Sequence, residues 1–197
     1  MLDIKLDLDC QKTALLVMDH QEILINNYVP NKNEYLANLS NVLEETRRND
    51  IQIIYVRVGF RKNYPEVSEH NIIFSSVRNG GRFSLNDAGS AIPSIIAPLE
   101  DDQIVLKHRV SAFEGTELQL LLRSQDISTI ILIGITTSGV VLSTVRQAAD
   151  LDYKIFVLED YCFDGDAEVQ KVLLEKILPM QAKVIESKSY LEIFNKS

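Results

Sequence analysis

Cysteine is scarce in this sequence of 197 residues, which holds only Cys10 and Cys162. Two cysteines so far apart are too few for a disulfide framework or a thiolate metal site. Sparse cysteine use of this kind is typical of proteins in a reducing compartment. We therefore expect a cytoplasmic protein without structural disulfide bonds.

Long apolar segments are absent as well. The longest apolar run covers residues 130–135, far short of the roughly 20 residues that a membrane-spanning helix needs. The first ten residues mix acidic and apolar side chains and have neither the basic start nor the apolar stretch of a signal peptide. We therefore expect a soluble protein that does not bind membranes.

Basic residues are in the minority, with 20 Lys and Arg against 28 Asp and Glu and a formal net charge of -8. No segment concentrates the basic residues into a patch. A surface of this charge repels phosphate backbones, so we expect no nucleic-acid partner. A small molecule is the expected ligand.

The sequence is rich in short apolar stretches that alternate with segments of helical spacing. The apolar stretches are continuous rather than alternating, which is typical of strands buried on both faces. Repeated strand and helix patterns predict an α/β fold of three layers, Rossmann-like, with a mostly parallel six-stranded sheet and helices on both faces. We expect residues 1–197 to form one domain. The predicted strands are residues 13–19, 51–58, 103–107, 129–134, 153–160 and 182–187, and the predicted helices are residues 34–50, 116–126, 140–152 and 167–178.

The segment 59–99 interrupts this rhythm. It contains the sequence NGG at residues 79–81 and three of the five prolines, and it shows no single period. Loops of this length in compact domains are usually functional or contain short helices. We expect one of these two outcomes here.

Ligands of open parallel sheets bind beyond the carboxyl ends of the strands. Three such ends carry candidate side chains: Asp19 after the first strand, Lys107 at the end of the third, and the turn GITTSGVVLST at residues 134–144 after the fourth. Each has a structural alternative. The alternative for Asp19 is a cap of the turn that follows it, and the alternative for Lys107 is an ordinary solvated lysine. The alternative for residues 134–144 is a tight connection from strand to helix, with Thr137 or Ser138 as the helix cap.

Together these stretches resemble the isochorismatase-like hydrolase superfamily, which includes isochorismatases, nicotinamidases and N-carbamoylsarcosine amidohydrolases. The resemblance covers most of the chain. It rests on Asp19 followed by Gln21, on Lys107 followed by SAF at residues 111–113 and GTEL at residues 115–118, and on the G-x-x-T turn that opens an alanine-rich helix.

The resemblance implies a catalytic role for Asp19 and Lys107, and it assigns Gln21, Phe113, Thr136 and Gly139 to substrate binding. In the amidohydrolase branch the turn carries a nucleophilic cysteine, whose position corresponds to Val140 in this chain. The turn is therefore present without its nucleophile. Isochorismatases resemble this chain in keeping the Asp and Lys without the cysteine. Cys162 lies outside the family position, and a free cysteine is more often a buried small residue.

The resemblance also implies a non-proline cis peptide bond between Ile135 and Thr136. In this arrangement the N–H groups of Thr136 and Val140 would form an oxyanion hole.

The nicotinamidase branch has a zinc site after its second strand, but this chain has only His70 in that range and no Asp-x-His pair. We therefore expect no metal and no cofactor. His20 and His108 are interpreted either as pocket residues or as structural histidines. Arg57 and Arg61 are interpreted either as a grip for a substrate carboxylate or as solvated loop residues.

The sequence thus predicts a hydrolase of this superfamily that acts on a small polar or anionic molecule, with Asp19 as acid or base and Lys107 as its electrostatic partner. The alternative is a catalytically inactive binding or regulatory member that keeps the pocket. The resemblance further implies a homodimer or homotetramer.

Overall fold

Six parallel strands form the centre of the structure, a computed structural model that describes residues 8–194. The strands lie in the order β3-β2-β1-β4-β5-β6. Both the parallel arrangement and the number of strands confirm the prediction from sequence. The strands are β1 (Thr13–Met18), β2 (Gln52–Val58), β3 (Gln103–Lys107), β4 (Thr129–Ile135), β5 (Lys154–Phe163) and β6 (Lys183–Ile185).

Strand β1 occupies the middle of the sheet, where Leu16 pairs with Ile54 of β2 and with Leu132 of β4. The strand order reverses direction between β1 and β4. A reversal of this kind opens a crevice at the carboxyl ends of the two strands, and ligands of such sheets bind there. The topology therefore places Asp19 and the turn after β4 next to the same crevice.

Helices cover both faces of the sheet, as predicted. Helix α2 packs on one face with α1 and α7, while α4 and α5 pack on the other. The helices are α1 (Glu22–Tyr28), α2 (Lys32–Arg48), α3 (Ile72–Asn79), α4 (Leu118–Ser124), α5 (Leu142–Asp150), α6 (Ala167–Val172) and α7 (Ser187–Leu191).

The continuous burial of β1 explains why its sequence shows no alternation. Leu16 and Met18 contribute to the core beneath α4 and α5, whereas Leu15 and Val17 contribute to the core beneath α2. All four side chains are buried. Burying an aliphatic side chain stabilises the folded protein by roughly 1.5–3 kcal/mol, so the side chains on both faces of β1 stabilise its position in the sheet.

Three short helices were not predicted. Helix α1 buries only Ile25 and has no side-chain cap, so its sequence carries little helical signal. Helix α3 lies in the segment 59–99 and has a cap, in which Asn71 Oδ1 accepts a hydrogen bond from the Phe74 N–H at 3.1 Å. Helix α7 is five residues long. The same segment 59–99 contains 3-10 turns at Ala88–Ser90 and Ser94–Ile96, so it does hold short helical elements, as expected.

The helix predicted for residues 167–178 is interrupted. Helix α6 is followed by a π-helical turn at Leu173–Ile177 and a 3-10 turn at Leu178–Met180. Pro179 lies in the first positions of the last turn, and proline cannot donate a backbone hydrogen bond within a continuing helix. Within residues 8–194, no helix has the length and apolarity required to span a bilayer.

Candidate active site

Asp19 and Lys107 form a buried ion pair at the carboxyl ends of β1 and β3. Asp19 Oδ2 lies 2.6 Å from Lys107 Nζ. Lys107 pairs with Val58 in the sheet, so its side chain reaches across the end of β2 to meet Asp19. The predicted ion pair between these distant residues is therefore present.

The ammonium group of Lys107 has three hydrogen-bond acceptors. Besides Asp19, it donates to the Arg109 carbonyl at 3.2 Å and to the Val110 carbonyl at 3.1 Å. The Lys107 Nζ therefore lies within hydrogen-bond distance of three oxygen atoms. Lys107 is only 2% exposed, which excludes the alternative of a solvated lysine.

Asp19 is 4% exposed, and its second carboxylate oxygen, Oδ1, has no hydrogen-bond partner among the described residues. The residue adopts a left-handed backbone conformation with φ of 57°, which aspartate tolerates better than most residues. Burial raises the pKa of Asp19 above its usual value, and the charge of Lys107 opposes this shift. The side chain belongs to an ion pair and caps no helix.

The turn after β4 begins with Thr136, whose side-chain Oγ1 accepts a hydrogen bond from the Gly139 N–H at 3.2 Å. The capping residue is therefore Thr136 and not Thr137 or Ser138. A Cβ atom on Gly139 would lie only 2.7 Å from the Thr136 hydroxyl, so this close approach requires glycine. The chain continues through a π-helical turn, Thr137–Val141, into α5.

Two further features of this turn concern its backbone. The peptide bond between Ile135 and Thr136 is cis, as predicted. The N–H of Ser138 donates to Asp164 Oδ2 at 2.7 Å, so a residue that follows β5 holds the turn in place.

A cavity of about 410 Å³ lies at these strand ends. It brings together five of the predicted site residues: Asp19, Lys107, Thr136, Gly139 and Val140. Its other walls come from α1, from α3 and from the loop that follows α3. The remaining lining residues are Leu24, Tyr28, Val58, Ile73, Phe74, Ser76, Val77, Arg82, Phe83, Val110, Ile135 and Ser138.

Two larger grooves lie elsewhere on the surface. One, of about 590 Å³, is lined by Gln11, Arg47 and Gln103, and another, of about 540 Å³, is lined by Asp160 and Ser187. Neither contains the buried ion pair. The chemistry of the lining and its place at the strand reversal therefore identify the smaller cavity as the candidate site, although it is not the largest.

The residues that line this cavity include neither Gln21 nor Phe113, which the resemblance assigned to substrate binding. Gln21 is fully buried, and its carboxamide forms three hydrogen bonds with the backbone of Val58 and Ser90. Phe113 is 5% exposed and belongs to the core, with its ring centroid 5.9 Å from that of Tyr153. Both side chains support the structure around the site.

The two histidines next to the ion pair have structural contacts. His20 is buried between the Met18 carbonyl, 3.1 Å from Nδ1, and the Tyr35 hydroxyl, 2.6 Å from Nε2. Burial lowers the pKa of His20 to about 4. His108 donates from Nδ1 to the Gly59 carbonyl at 2.6 Å and packs against the Phe60 ring. Neither histidine lines the cavity, which favours the structural interpretation of both.

Among the described residues that line the cavity, neither Arg57 nor Arg61 is present. Arg61 is instead paired with Glu66 at 2.8 Å. The arginine at the cavity is Arg82, which sequence reasoning missed. It follows the NGG turn of residues 79–81, in which Gly81 adopts a left-handed φ of 64°.

Cys162 lies beside Gly134 in the pairing of β5 with β4 and is 1% exposed. Burial raises the pKa of its thiol to about 12. Cys10 lies in the 3-10 turn Cys10–Lys12 that precedes β1. Neither thiol lines the cavity, and Cys162 is a small buried core residue.

Known sequences resemble this chain over most of its length. Residues 13–189 match the model of the isochorismatase domain family. The chain is also 32% identical over 192 residues to the isochorismatase family protein YecD of Escherichia coli O157:H7, a match that covers 96% of this chain and 98% of that protein.

Solved structures share the fold. A cysteine hydrolase from Pseudomonas syringae pv. phaseolicola superposes with a TM-score of 0.84 at 22% identity, covering 96% of this chain and 95% of the other. The N-carbamoylsarcosine amidase from Thermoplasma acidophilum superposes with a TM-score of 0.72 at 27% identity, covering 89% and 96%.

Proposed function

This chain belongs to the isochorismatase family, and we propose that it is a hydrolase that acts on a small polar or anionic molecule, with Asp19 as acid or base and Lys107 as its electrostatic partner. One observation carries the proposal: the carboxylate of Asp19 is buried at the cavity and paired through Oδ2, and its Oδ1 has no partner within residues 8–194. A buried acceptor with no partner is costly unless a ligand or water uses it.

Asp19 is suited to proton transfer by its environment. Burial raises the pKa of Asp19 above its usual value, and a raised pKa favours a carboxyl that takes part in proton transfer. Lys107 keeps the ionised form accessible by its charge. Because all three ammonium protons are engaged, Lys107 supplies a fixed charge and Asp19 supplies the mobile proton.

Val140 lies at the cavity in the position that corresponds to the family cysteine, and a hydrocarbon side chain cannot attack a substrate. We therefore assign the attack to a water molecule. Asp19 takes a proton from the water molecule while the water oxygen forms a bond to the electrophilic carbon of the substrate. Asp19 then gives this proton to the leaving group as the bond between that carbon and the leaving group breaks. The N–H groups of Thr136 and Val140 are assigned to the negative charge that develops on the substrate.

A second candidate function is favoured by the cavity lining itself, in which no cysteine is present among the described residues. In this alternative the chain binds a small molecule without converting it, as an inactive binding or regulatory member. The buried ion pair would then be retained for structure. Turnover of a substrate separates the two candidates.

The test is a substrate panel that contains isochorismate, nicotinamide and carbamoyl amides. Asp19→Asn is the test variant, and Asp126→Asn is the matched control because Asp126 is 85% exposed in a surface ion pair. Turnover that falls by about 100-fold or more in the first variant alone supports the hydrolase. Binding without turnover supports the second candidate, and turnover that survives Asp19→Asn contradicts the role of Asp19.

A further inference from the structure

The side chains that line the cavity carry a net positive charge. Three charged side chains line it: Asp19, Lys107 and Arg82. The first two neutralise each other at 2.6 Å. Arg82 has no acidic partner among the described residues, so the cavity carries one positive charge in a chain whose formal net charge is -8. A local charge opposite in sign to the whole chain favours an anionic ligand.

Three other arginines of the neighbouring segments have protein partners. Arg61 pairs with Glu66 at 2.8 Å, and Arg78 lies 3.8 Å from Glu69. Arg109 donates to the carbonyl groups of Glu66 and His108. Arg82 differs from them because its guanidinium makes a single hydrogen bond within residues 8–194, to Ser76 Oγ at 3.4 Å. Four of its five N–H donors therefore lack a protein acceptor.

The backbone of Arg82 is held in place although its side chain is exposed. Its N–H donates to the Val77 carbonyl at 3.1 Å, and its carbonyl accepts a hydrogen bond from the Tyr64 hydroxyl at 2.9 Å. Ser76, the partner of the guanidinium, also lines the cavity. The free donors are thus presented at the cavity from a fixed point of the chain.

Apolar side chains surround this charge. Phe74, Val77 and Phe83 belong to one buried cluster with Val58, and all four line the cavity. Leu24 and Tyr28 contribute from α1, and Leu24 packs against the same cluster. A ligand that fits here has an apolar body as well as an anionic group.

We propose that Arg82 forms an anion subsite that binds the carboxylate of a small substrate with an apolar body, and that this contact holds the reacting group near Asp19 and Lys107. A guanidinium binds a carboxylate through two parallel hydrogen bonds, which fix orientation as well as position. The identification of the ligand as a substrate rests on the proposed hydrolase function, whereas the subsite itself rests on the cavity.

The test uses phenylacetate as an anionic probe and 2-phenylethanol as its neutral counterpart, with binding to the full chain measured by NMR titration. The variants are Arg82→Gln and Arg82→Lys, and Arg78→Gln is the matched control on the adjacent helix. We expect wild-type protein to prefer phenylacetate, and we expect Arg82→Gln to weaken that binding by about 10-fold or more while 2-phenylethanol binding stays unchanged. Arg82→Lys should restore part of the loss, because lysine supplies charge without the planar fork.

The subsite is refuted if wild-type protein fails to bind phenylacetate, if Arg82→Gln leaves its affinity unchanged, or if Arg78→Gln weakens it equally. Failure of the proposed function has a different signature. If phenylacetate binding depends on Arg82 but no panel substrate is turned over, the hydrolase function is contradicted and the anion subsite is supported. If the protein turns over charged and neutral substrates with the same KM, the anion subsite is contradicted and the hydrolase function is supported.

Discussion

The carboxamide of Gln21 holds both backbone groups of Val58. Gln21 Nε2 donates to the Val58 carbonyl at 3.0 Å, and Gln21 Oε1 accepts from the Val58 N–H at 3.0 Å. The second Nε2 proton goes to the Ser90 carbonyl at 2.8 Å. One side chain therefore connects the end of β1 to the end of β2 and to the loop that contains Ser90.

Replacing Gln21 with methionine keeps the length of the side chain and removes its hydrogen bonds. Three buried backbone groups then lose their partners, at about 1–3 kcal/mol each, so we expect the free energy of unfolding of Gln21→Met to fall by at least about 3 kcal/mol. Urea denaturation measures the change. Gln125→Met, at an exposed position, should change stability by less than about 0.5 kcal/mol, and equal effects of the two substitutions would contradict the structural role of Gln21.

A double-mutant cycle tests the buried ion pair. Lys107→Met leaves the Asp19 carboxyl buried without its partner, and we expect a loss of about 3–5 kcal/mol. Adding Asp19→Asn removes the uncompensated charge, so the double variant should be more stable than the sum of the single effects predicts, with a coupling of about 1–3 kcal/mol. The exposed pair of Lys12 and Asp126 is the control and should couple by less than about 1 kcal/mol. Additive effects at the buried pair would show that the two charges do not interact.

His20 should make stability depend on pH. Its folded pKa of about 4 lies below the usual 6.5, so the unfolded chain binds more protons between these two values. Stability is therefore retained above pH 6.5 and lost as the pH falls towards 4, by about 3 kcal/mol.

Urea denaturation at pH 7 and pH 4 measures this loss in wild type and in His20→Asn, which should lack the contribution. His70→Asn replaces an exposed histidine and should retain it. An identical pH dependence in wild type and His20→Asn would rule out the assigned role of the buried histidine.

Thiol chemistry provides a test of the cavity lining. Burial and a pKa of about 12 should protect Cys162 from iodoacetamide at pH 8 until the protein unfolds. Val140 is also buried, at 2% exposure, but it lines the cavity and Cys162 does not. We therefore expect the thiol of Val140→Cys to react at least about 10-fold faster than Cys162 in the folded protein. Mass spectrometry of peptides after timed labelling identifies the modified residue. Rapid labelling of Cys162 in folded wild-type protein would place that thiol in the site.

The strands were predictable because burial on both faces leaves continuous apolar stretches such as that of β1. The candidate site followed from the strand ends: Asp19 and Lys107 are polar residues at the end of apolar runs, and a parallel sheet brings such ends together. The ion pair forms although β2 separates β1 from β3, because the side chain of Lys107 reaches across β2.

The directions of the Gln21 and Phe113 side chains could not be predicted from the sequence. A sequence reveals that a residue lies near a strand end, but the direction of its side chain depends on which backbone groups need partners. The Val58 and Ser90 groups that Gln21 satisfies are separated from it by 37 and 69 positions in the sequence. No local pattern encodes that requirement.

Arg82 escaped prediction for a related reason. The segment 59–99 packs through a small apolar cluster around Phe60 and Phe74. The apolar residues of this segment have no regular spacing in the sequence, because the segment does not lie along a face of the sheet. Helical or strand periodicity therefore gives no information about which of its side chains reach the cavity.

The central place of β1 in the sheet has a consequence for how the chain matures. Residues Thr13–Met18 pair on one side with β4, whose residues come much later in the sequence. During synthesis, one edge of β1 therefore waits without its partner until Thr129–Ile135 has left the ribosome. Asp19 is made early and the turn that faces it late, so the cavity cannot be completed by a nascent chain that stops before β4.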